Sequence, residues 1–356
     1  MRILVMPCDG IGPEITAAAE RVLAAADARF ALKLVFEHAD VGLASLARHG
    51  TTLRDDVLER ARAADGIVLG PQDNMRYPPR EKGGRNVSSA FRVGLDLYAN
   101  VRPARTRGAL PANMRPGRTM DLVIMREATE GFYADRNMHA GAGEFMPTPE
   151  IAMSLRKITA EGSARIARSA FELARRRRRK VTAVHKANCF HLTCGLFLSQ
   201  VRDVARSYPD VELDDVIVDA MAAHLVRDPS RYDVVVTTNL FGDILSDLAS
   251  ELSGGLGLAG STNENADHCC AQAQHGSAPD IAGKDAANPT SMILSVAMLL
   301  SWMGRKHGRA ELAEAAWTIE AAVDATLADP ASRTPDLGGS LGCAAFAEVV
   351  ARRVAR

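Results

Sequence analysis

Several things are missing from this chain of 356 residues, and each absence removes a class of function. It has no surplus of either charge, since 43 Lys and Arg are matched by 43 Asp and Glu. Global charge therefore points to no polyanionic partner. None of the six cysteines stands in a Cys-x-x-Cys pair. Cys269 and Cys270 are adjacent, which is poor geometry for an ordinary disulfide, and Cys8, Cys189, Cys194 and Cys343 lie in apolar or strand-end contexts. Free thiols in a reducing cytosol are the expectation. No apolar run suits a bilayer: Met292 to Trp302 is interrupted by Ser295 and Ser301 and reads as a buried helix. The start, Met1 to Cys8, is too short for a secretory apolar region and meets Asp9 at once. A cytoplasmic protein with no membrane partner is expected. One basic run, Arg175 to Lys180, has no interleaved aromatics and belongs to no nucleic-acid motif. It falls where a helix bearing Ile166, Ala170, Leu173 and Ala174 gives way to a strand, Val181 to Val184, so it reads as a solvated helix C-terminus. The competing reading, a nucleic-acid patch, predicts salt-sensitive retention of DNA or RNA.

What is present is a soluble composition, 47% hydrophobic and 24% charged, over a length that suggests about two domains. Strands are predicted at Arg2 to Met6, Gly66 to Leu69, Met120 to Met125, Val181 to Val184, Val216 to Val218 and Tyr232 to Val236. Helices alternate with them. Pro13 suits the first turn of one that runs through Ile15, Ala19, Val22 and Leu23. The last third is mostly helical, at Pro289 to Met303 and Glu311 to Leu327. This alternation argues for a layered α/β protein. An Arg- and Pro-rich stretch, Pro103 to Pro116, and the glycine cluster Gly254 to Gly257 suggest boundaries. The middle of the chain, 108–254, then forms one domain, and 1–107 with 255–356 forms a second, discontinuous one. Gly10-Ile11-Gly12 is not a Rossmann fingerprint, because Pro13 and Glu14 follow where that motif wants a phosphate-facing turn.

The polar residues at strand ends carry the chemistry. Asp243 and Asp247 stand four apart in a helix that follows the strand ending at Val236. That spacing puts both carboxylates on one helix face, where a hard divalent ion such as Mg²⁺ or Mn²⁺ is the simplest resident. Acids also suit a solvated helix start. Arg92, Arg102 and Arg126 stand in otherwise apolar contexts, and guanidinium forks grip carboxylates. Three of them suggest a substrate with more than one carboxylate, although each also suits a surface ion pair. Lys186 leaves a strand in Val184-His185-Lys186-Ala187-Asn188, where a tuned lysine can act as a general base or simply be exposed.

Six segments occur in order over nearly the whole chain: Cys8 to Glu14, Tyr98 to Pro103, Arg126 to Tyr133, His185 to Asn188, Thr237 to Asp247 and His275 to Lys284. Together they resemble the β-decarboxylating dehydrogenases of isocitrate, homoisocitrate, 3-isopropylmalate and tartrate. The resemblance implies a two-domain layered α/β fold of the isopropylmalate-dehydrogenase type. The discontinuous domain would be the large, nucleotide-binding one, and 108–254 the small one with the metal and dimer-interface residues. It implies Asp243 and Asp247 as metal ligands, with Asp219 as a third ligand lent by the other subunit of a homodimer. Lys186, also lent across the dimer, is implied as the base and Tyr133 as the acid. Arg92, Arg102 and Arg126 match the clamp on the malate carboxylates. NAD is the implied cofactor: His275, Gly276, Ser277 and Ala278 match the adenosine loop, and Asn288 falls near adenine. Asn188 joins the cofactor set, as do Asp280 and Ile281, with Asp280 placed to repel the extra phosphate of NADP. The expected activity is metal-dependent oxidative decarboxylation of a 3-substituted D-malate.

Two features depart from the pattern. Gln272 stands where relatives place a Glu, keeping hydrogen bonds but not charge. The segment before the clamp arginine, with Arg85, Asn86, Ser88 and Ser89, is polar where isopropylmalate enzymes are apolar. Burying each of those groups unpaired against an isopropyl substituent costs about 1–3 kcal/mol. Thr129-Glu130-Gly131 also resembles the isocitrate, homoisocitrate and tartrate branches. A polar or anionic substituent is therefore expected, with 3-isopropylmalate dehydrogenase of leucine biosynthesis as the alternative. A non-catalytic regulatory subunit of the same fold is the alternative of another class. Retention of Tyr133, Lys186, Asp219, Asp243 and Asp247 argues against it. Gln72 to Gly84 matches no assignable pattern.

Overall fold

The computed structural model describes residues 1–133, 138–139 and 141–356. From the first residue the chain forms β1 (Arg2–Met6), α1 (Gly12–Phe30), β2 (Val35–His38), α2 (Gly42–His49), α3 (Asp55–Ala63), β3 (Gly66–Leu69) and α4 (Val87–Gly94). Next come β4 (Ala99–Arg105), β5 (Asp121–Glu127), a hairpin of β6 (Glu144–Thr148) and β7 (Ile151–Ser154), then α5 (Ala160–Arg175), β8 (Lys180–His185) and α6 (Thr193–Ala205). The remainder is β9 (Glu212–Ile217), α7 (Val218–Arg227), β10 (Val234–Thr237), α8 (Asn239–Ser253), β11 (Thr262–Glu264), β12 (Cys269–Gln272), α9 (Thr290–His307), α10 (Ala310–Ala328) and α11 (Cys343–Val354).

Two compact units result: 1–95 with 107–111 and 255–356, and 96–106 with 112–254. In the first unit the strand order is β2-β1-β3-β12-β11. All neighbours are parallel except β11, which runs antiparallel to β12. Helices α1, α9, α10 and α11 bury their apolar faces together with β1 and β12 in one core that includes Ile15, Leu23, Leu299, Ile319 and Phe346. In the second unit the order is β4-β5-β10-β8-β9, parallel apart from β4. Parallel strands need crossovers, and helices α5, α6 and α7 supply them.

Most predicted elements lie within a few residues of the observed ones. The strand expected at Val216 to Val218 begins earlier, at Glu212, and Val218 already starts α7. The stretch proposed as a boundary is cut by β4, which continues through Pro103 to Arg105 beside β5. That pairing is why 96–106 falls in the second unit. Ile11 donates its backbone N–H to the Ser277 carbonyl and Gly12 to that of Asp9. A methyl group on Gly10, held at φ +58°, would strike the Ser277 carbonyl. The glycines thus serve close backbone packing, with two amides already spent, unlike a dinucleotide-binding turn. All six cysteines are free thiols. No helix among the described residues is long and apolar enough to cross a membrane.

The basic run is absorbed by acids of its own unit. Arg175 forks onto Asp210, Arg177 bonds Asp233 and Asp121, and Lys180 reaches Glu212 and Asp214. Asp233 is fully buried at the head of β10 and accepts from Arg177 Nε at 2.7 Å and from the Arg178 amide at 2.8 Å. Removing one partner of such a pair strands the other. Asp233→Ala is expected to lower unfolding free energy by about 3 kcal/mol, measured by chemical denaturation, whereas Asp210→Ala at the exposed pair changes it by less than about 1 kcal/mol.

Candidate active site

The candidate residues fall into two sets, one on each unit. In the second unit β5, β10 and β8 are in register, so that Arg126, Thr237 and Val184 stand side by side. The chain leaves all three strands at this edge, where open α/β sheets collect functional groups. After β5 comes the turn to Tyr133, which is half-buried. After β10 comes α8 with Asp243 and Asp247, and after β8 come Lys186 and Asn188.

Arg126 is buried at the end of β5. Its Nε and Nη2 donate to Asn239 Oδ1 at 2.9 and 2.6 Å, and its Nη1 pairs with Asp243. Asn239 Nδ2 donates onward to the Glu130 carbonyl at 2.9 Å. From β4, Arg102 Nη1 donates to Ser246 Oγ at 2.7 Å and faces Asp247 at 3.1 Å and Asp243 at 3.3 Å. Burial and then the neighbouring Arg126 charge pull the Arg102 guanidinium down to about 10, against the two aspartates. Buried guanidiniums side by side demand anions, and Asp243 and Asp247 supply them from one face of α8. Helix and strand approach this closely because residue 242 is glycine. A methyl group there would lie 2.6 Å from Arg126 Cβ and 2.7 Å from its Cγ.

Both aspartates are partly exposed and offer only hard oxygen donors, which fits a divalent ion of the magnesium or manganese kind. Among the described residues no group of three or more His, Cys, Asp or Glu surrounds one point. An ion held by these two carboxylates would need further donors from elsewhere. Asp219 sits in the first turn of α7 and is paired with Lys186 Nζ at 2.5 Å. This bond raises the lysine and lowers the carboxyl relative to their usual ranges. The turn into Lys186 is fixed by His185, whose Nδ1 accepts from the Ala187 amide at 3.0 Å. That assignment leaves Nε2 to donate to Asp215 at 3.1 Å. Thr129-Glu130-Gly131 is accounted for by turn building. Buried Glu127 accepts from the amides of Thr129 and Glu130, and Glu130 accepts from Thr159, the N-cap of α5.

In the first unit, Asn86 caps α4 by accepting from the Ser89 amide at 2.8 Å, and Arg92 lies on the same helix. Arg85 is tied to the Leu53 carbonyl at 3.0 Å and to exposed Asp55 at 2.7 Å. Ser88 Oγ donates to Gln272 Oε1 at 3.2 Å, and the same oxygen accepts from Asn263 at 3.5 Å. The neutral amide at 272 is thus held as an acceptor, a task a carboxylate would also perform. The unassigned segment 72–84 is pinned by Asp9, whose carboxylate accepts from the Leu43 and Asp73 amides and from Tyr77 OH at 2.5 Å. In the 275–288 loop, His275 Nδ1 contacts the Gly276 carbonyl at 3.0 Å, while its buried Nε2 has no hydrogen-bond partner. Burial lowers this imidazole, favouring the neutral ring. Ala278 takes a left-handed conformation ahead of exposed Asp280, and Asn288 donates to Asp336 at 2.9 Å. A buried ring nitrogen without a partner and an exposed carboxylate in one loop are groups that could take the hydroxyls of a nucleotide.

Sequence reasoning missed Asn239, Gly242, Ser246 and Asp215. The first three lie inside the Thr237 to Asp247 motif, where the i, i+3 relation of Ser246 to Asp243 was the available signal. Asp215 gave none, because its partner His185 comes from another strand.

Comparison with known proteins gives this arrangement its context. Residues 2–350 match the family model described as isocitrate/isopropylmalate dehydrogenase. The isocitrate/homoisocitrate dehydrogenase of Thermus thermophilus is 43% identical over 351 residues, 98% of this chain and 97% of that one. The 3-isopropylmalate dehydrogenase of Archaeoglobus fulgidus is 41% identical over 98% of both chains. The crystal structure of isocitrate dehydrogenase from Methylococcus capsulatus superposes with a TM-score of 0.87 at 42% identity, covering 100% of this chain and 99% of that one. The protein is an oxidoreductase, a decarboxylating dehydrogenase. It belongs to the isocitrate/isopropylmalate dehydrogenase family, whose members are metal-dependent, NAD(P)-linked enzymes of small carboxylates.

The closeness of α8 to β5 is testable. Gly242→Ala is expected to destabilise the protein by about 1–3 kcal/mol and to cut turnover more than Tm, because the displaced helix carries Asp243. Thermal unfolding and kcat measured on one preparation check this.

Proposed function

We propose that this chain is a NAD-linked, divalent-metal-dependent dehydrogenase that oxidatively decarboxylates a 3-substituted D-malate with a polar or anionic substituent, of the isocitrate, homoisocitrate or tartrate type. The observation that supports this most is the pair of buried arginines beside Asp243 and Asp247. When a dication takes the carboxylates, the arginines are left uncompensated, and a substrate carrying several carboxylates restores balance.

In this reading Asp243 and Asp247 hold Mg²⁺ or Mn²⁺ together with Asp219 of a second copy. The ion, when bound, acidifies the substrate hydroxyl and polarises the adjacent carboxylate. Arg102, Arg126 and Arg92 grip the malate carboxylates. Once Asp219 is engaged by the ion and no longer holds the lysine charged, Lys186 takes the hydroxyl proton through water or a neighbour as hydride passes to the nicotinamide, and Tyr133 delivers a proton to carbon after CO₂ departs. His275 to Ala278, Ile281, Asn288 and Asn188 contact the cofactor. Asp280 accepts from ribose hydroxyls and disfavours a 2′-phosphate. Arg85, Asn86 and Ser88 meet the substituent. The exposed Arg85–Asp55 pair is worth about 0–1 kcal/mol, so a substrate carboxylate competes for that guanidinium. A homodimer is supported by the β6–β7 hairpin, which exposes Phe145, Met146, Ile151 and Met153, and by exposed Ile244 beside Asp243.

Three measurements test the reading. Asp243→Asn is expected to abolish turnover while leaving the unfolding transition nearly unchanged, and excess chelator is expected to do the same to the wild type. Activity surviving either treatment counts against the metal assignment. Mixing inactive Lys186→Ala and Tyr133→Phe chains is expected to restore activity through hybrid sites, and none despite proven subunit exchange removes the shared-site reading. NAD reduction across malate, tartrate, isocitrate, homoisocitrate and 3-isopropylmalate is expected to favour a polar substituent over isopropyl in kcat/KM by at least about tenfold, with Ser88→Leu narrowing the ratio. Wild-type preference for 3-isopropylmalate makes the chain a leucine-pathway enzyme instead.

A further inference from the structure

Arg156 lies between β7 and α5, outside every motif of the site, yet it touches all three segments that leave the active edge of the second unit. Its guanidinium carbon lies 5.5 Å from the ring centre of Phe132, 5.1 Å from that of Phe190 and 5.0 Å from that of Phe241. Phe132 precedes Tyr133, Phe190 closes the turn that begins at Lys186, and Phe241 stands two residues before Asp243. Its nitrogens donate to Thr238 Oγ1 at 3.1 Å, to Cys194 Sγ at 3.2 Å and to Thr193 Oγ1 at 3.4 Å. The backbone next to it is fixed as well. Gly131 and Lys157 exchange amide hydrogen bonds of 2.8 and 2.9 Å, which sets the Tyr133 turn against the segment that carries Arg156.

We infer that Arg156 is a positioning residue that gathers the acid, base and metal segments around one guanidinium. The inference rests on the roles proposed above for Tyr133, Lys186 and Asp243. The physics suits the task. A planar cation attracts ring faces from several directions while its N–H fork bonds hydroxyls in its own plane, so one side chain fixes distance and orientation together. Among the described residues none of its partners is an acid. Its loss would therefore leave no carboxylate stranded, and the consequence should fall on geometry more than on stability. A small displacement of catalytic groups is enough to cost orders of magnitude in rate.

The test is steady-state kinetics on the full-length enzyme with Mg²⁺, NAD and the best substrate of the panel above, for Arg156→Met, Arg156→Lys and Phe190→Leu. Arg156→Met is expected to lower kcat by about 30- to 100-fold while the KM for NAD stays within about twofold. Lysine keeps the charge but lacks the fork, so Arg156→Lys is expected to recover part of the loss. Combined with Tyr133→Phe, Arg156→Met is expected to add less than its full loss in the wild-type background, because the share of that loss due to a displaced acid cannot recur once the acid is gone. If Arg156→Met does not fold, Arg156→Lys and Phe190→Leu carry the test, with kcat losses that exceed any change in Tm. Wild-type kcat in Arg156→Met, full additivity with Tyr133→Phe, or a lowered Tm with unchanged kcat overturns the inference alone. Wild-type turnover in Tyr133→Phe, Lys186→Ala and Asp243→Asn overturns the site assignment, and the inference with it.

Discussion

The second unit is organised around the crossing of α8 over the end of β5. Arg126 is buried there and its guanidinium cannot be left unanswered. Asn239 and Asp243, one turn apart on α8, answer it from the same side. The helix can come near enough only because Gly242 presents no side chain to the arginine stem. From that contact the rest follows. Asn239 fixes the Glu130 carbonyl and hence the turn to Tyr133, and Asp247 and Ser246 are carried to Arg102 on β4. A requirement of electrostatics, that buried cations meet anions, thereby sets the position of a helix and of the carboxylates it carries.

The arrangement is also a reason for the family's appetite for polyanions. Arg102 and Arg126 repel each other in a dehydrated place and are held there by two carboxylates that a metal would also claim. Such a site is balanced in two compositions: arginines with aspartates, or arginines with substrate carboxylates and aspartates with the ion. On the proposed function, binding would exchange one for the other without burying a lone charge, which would keep the desolvation penalty of a charged substrate moderate.

Much of this was legible in the residues. The apolar strands Arg2 to Met6 and Tyr232 to Val236 are short, buried and bounded by turn signals, so their pattern could be read locally. The spacing of Asp243 and Asp247 puts them on one helix face, but it equally suits a solvated helix start, and their proposed metal role rests on the family resemblance. What could not be read depends on partners distant in the chain. Residues of β6 and β7 are all exposed, so they carry no inward-outward alternation. Strand β4 contains Pro103, which normally argues against a strand interior, and it is tolerated beside β5. Segment 72–84 resembles nothing until Tyr77 is seen bonded to Asp9, 68 residues earlier. Arg156 sits in a stretch without periodicity, and its three rings come from positions 132, 190 and 241. No local rule anticipates such a meeting point. The single-chain structure pairs Lys186 with Asp219, and a role for that pair in a neighbouring site is a matter of assembly, which a linear reading reaches only by resemblance.

The cysteines have a practical consequence. Burial pushes the Cys269 thiol well up and those of Cys270 and Cys343 to about 12, and Cys8 and Cys194 are buried too. Cys189 alone is exposed, three residues after Lys186. Thiol chemistry with a maleimide or a spin label is thus directed to one position without any engineering. The natural protein carries its own attachment point for a reporter group at the edge of the turn that bears the proposed base.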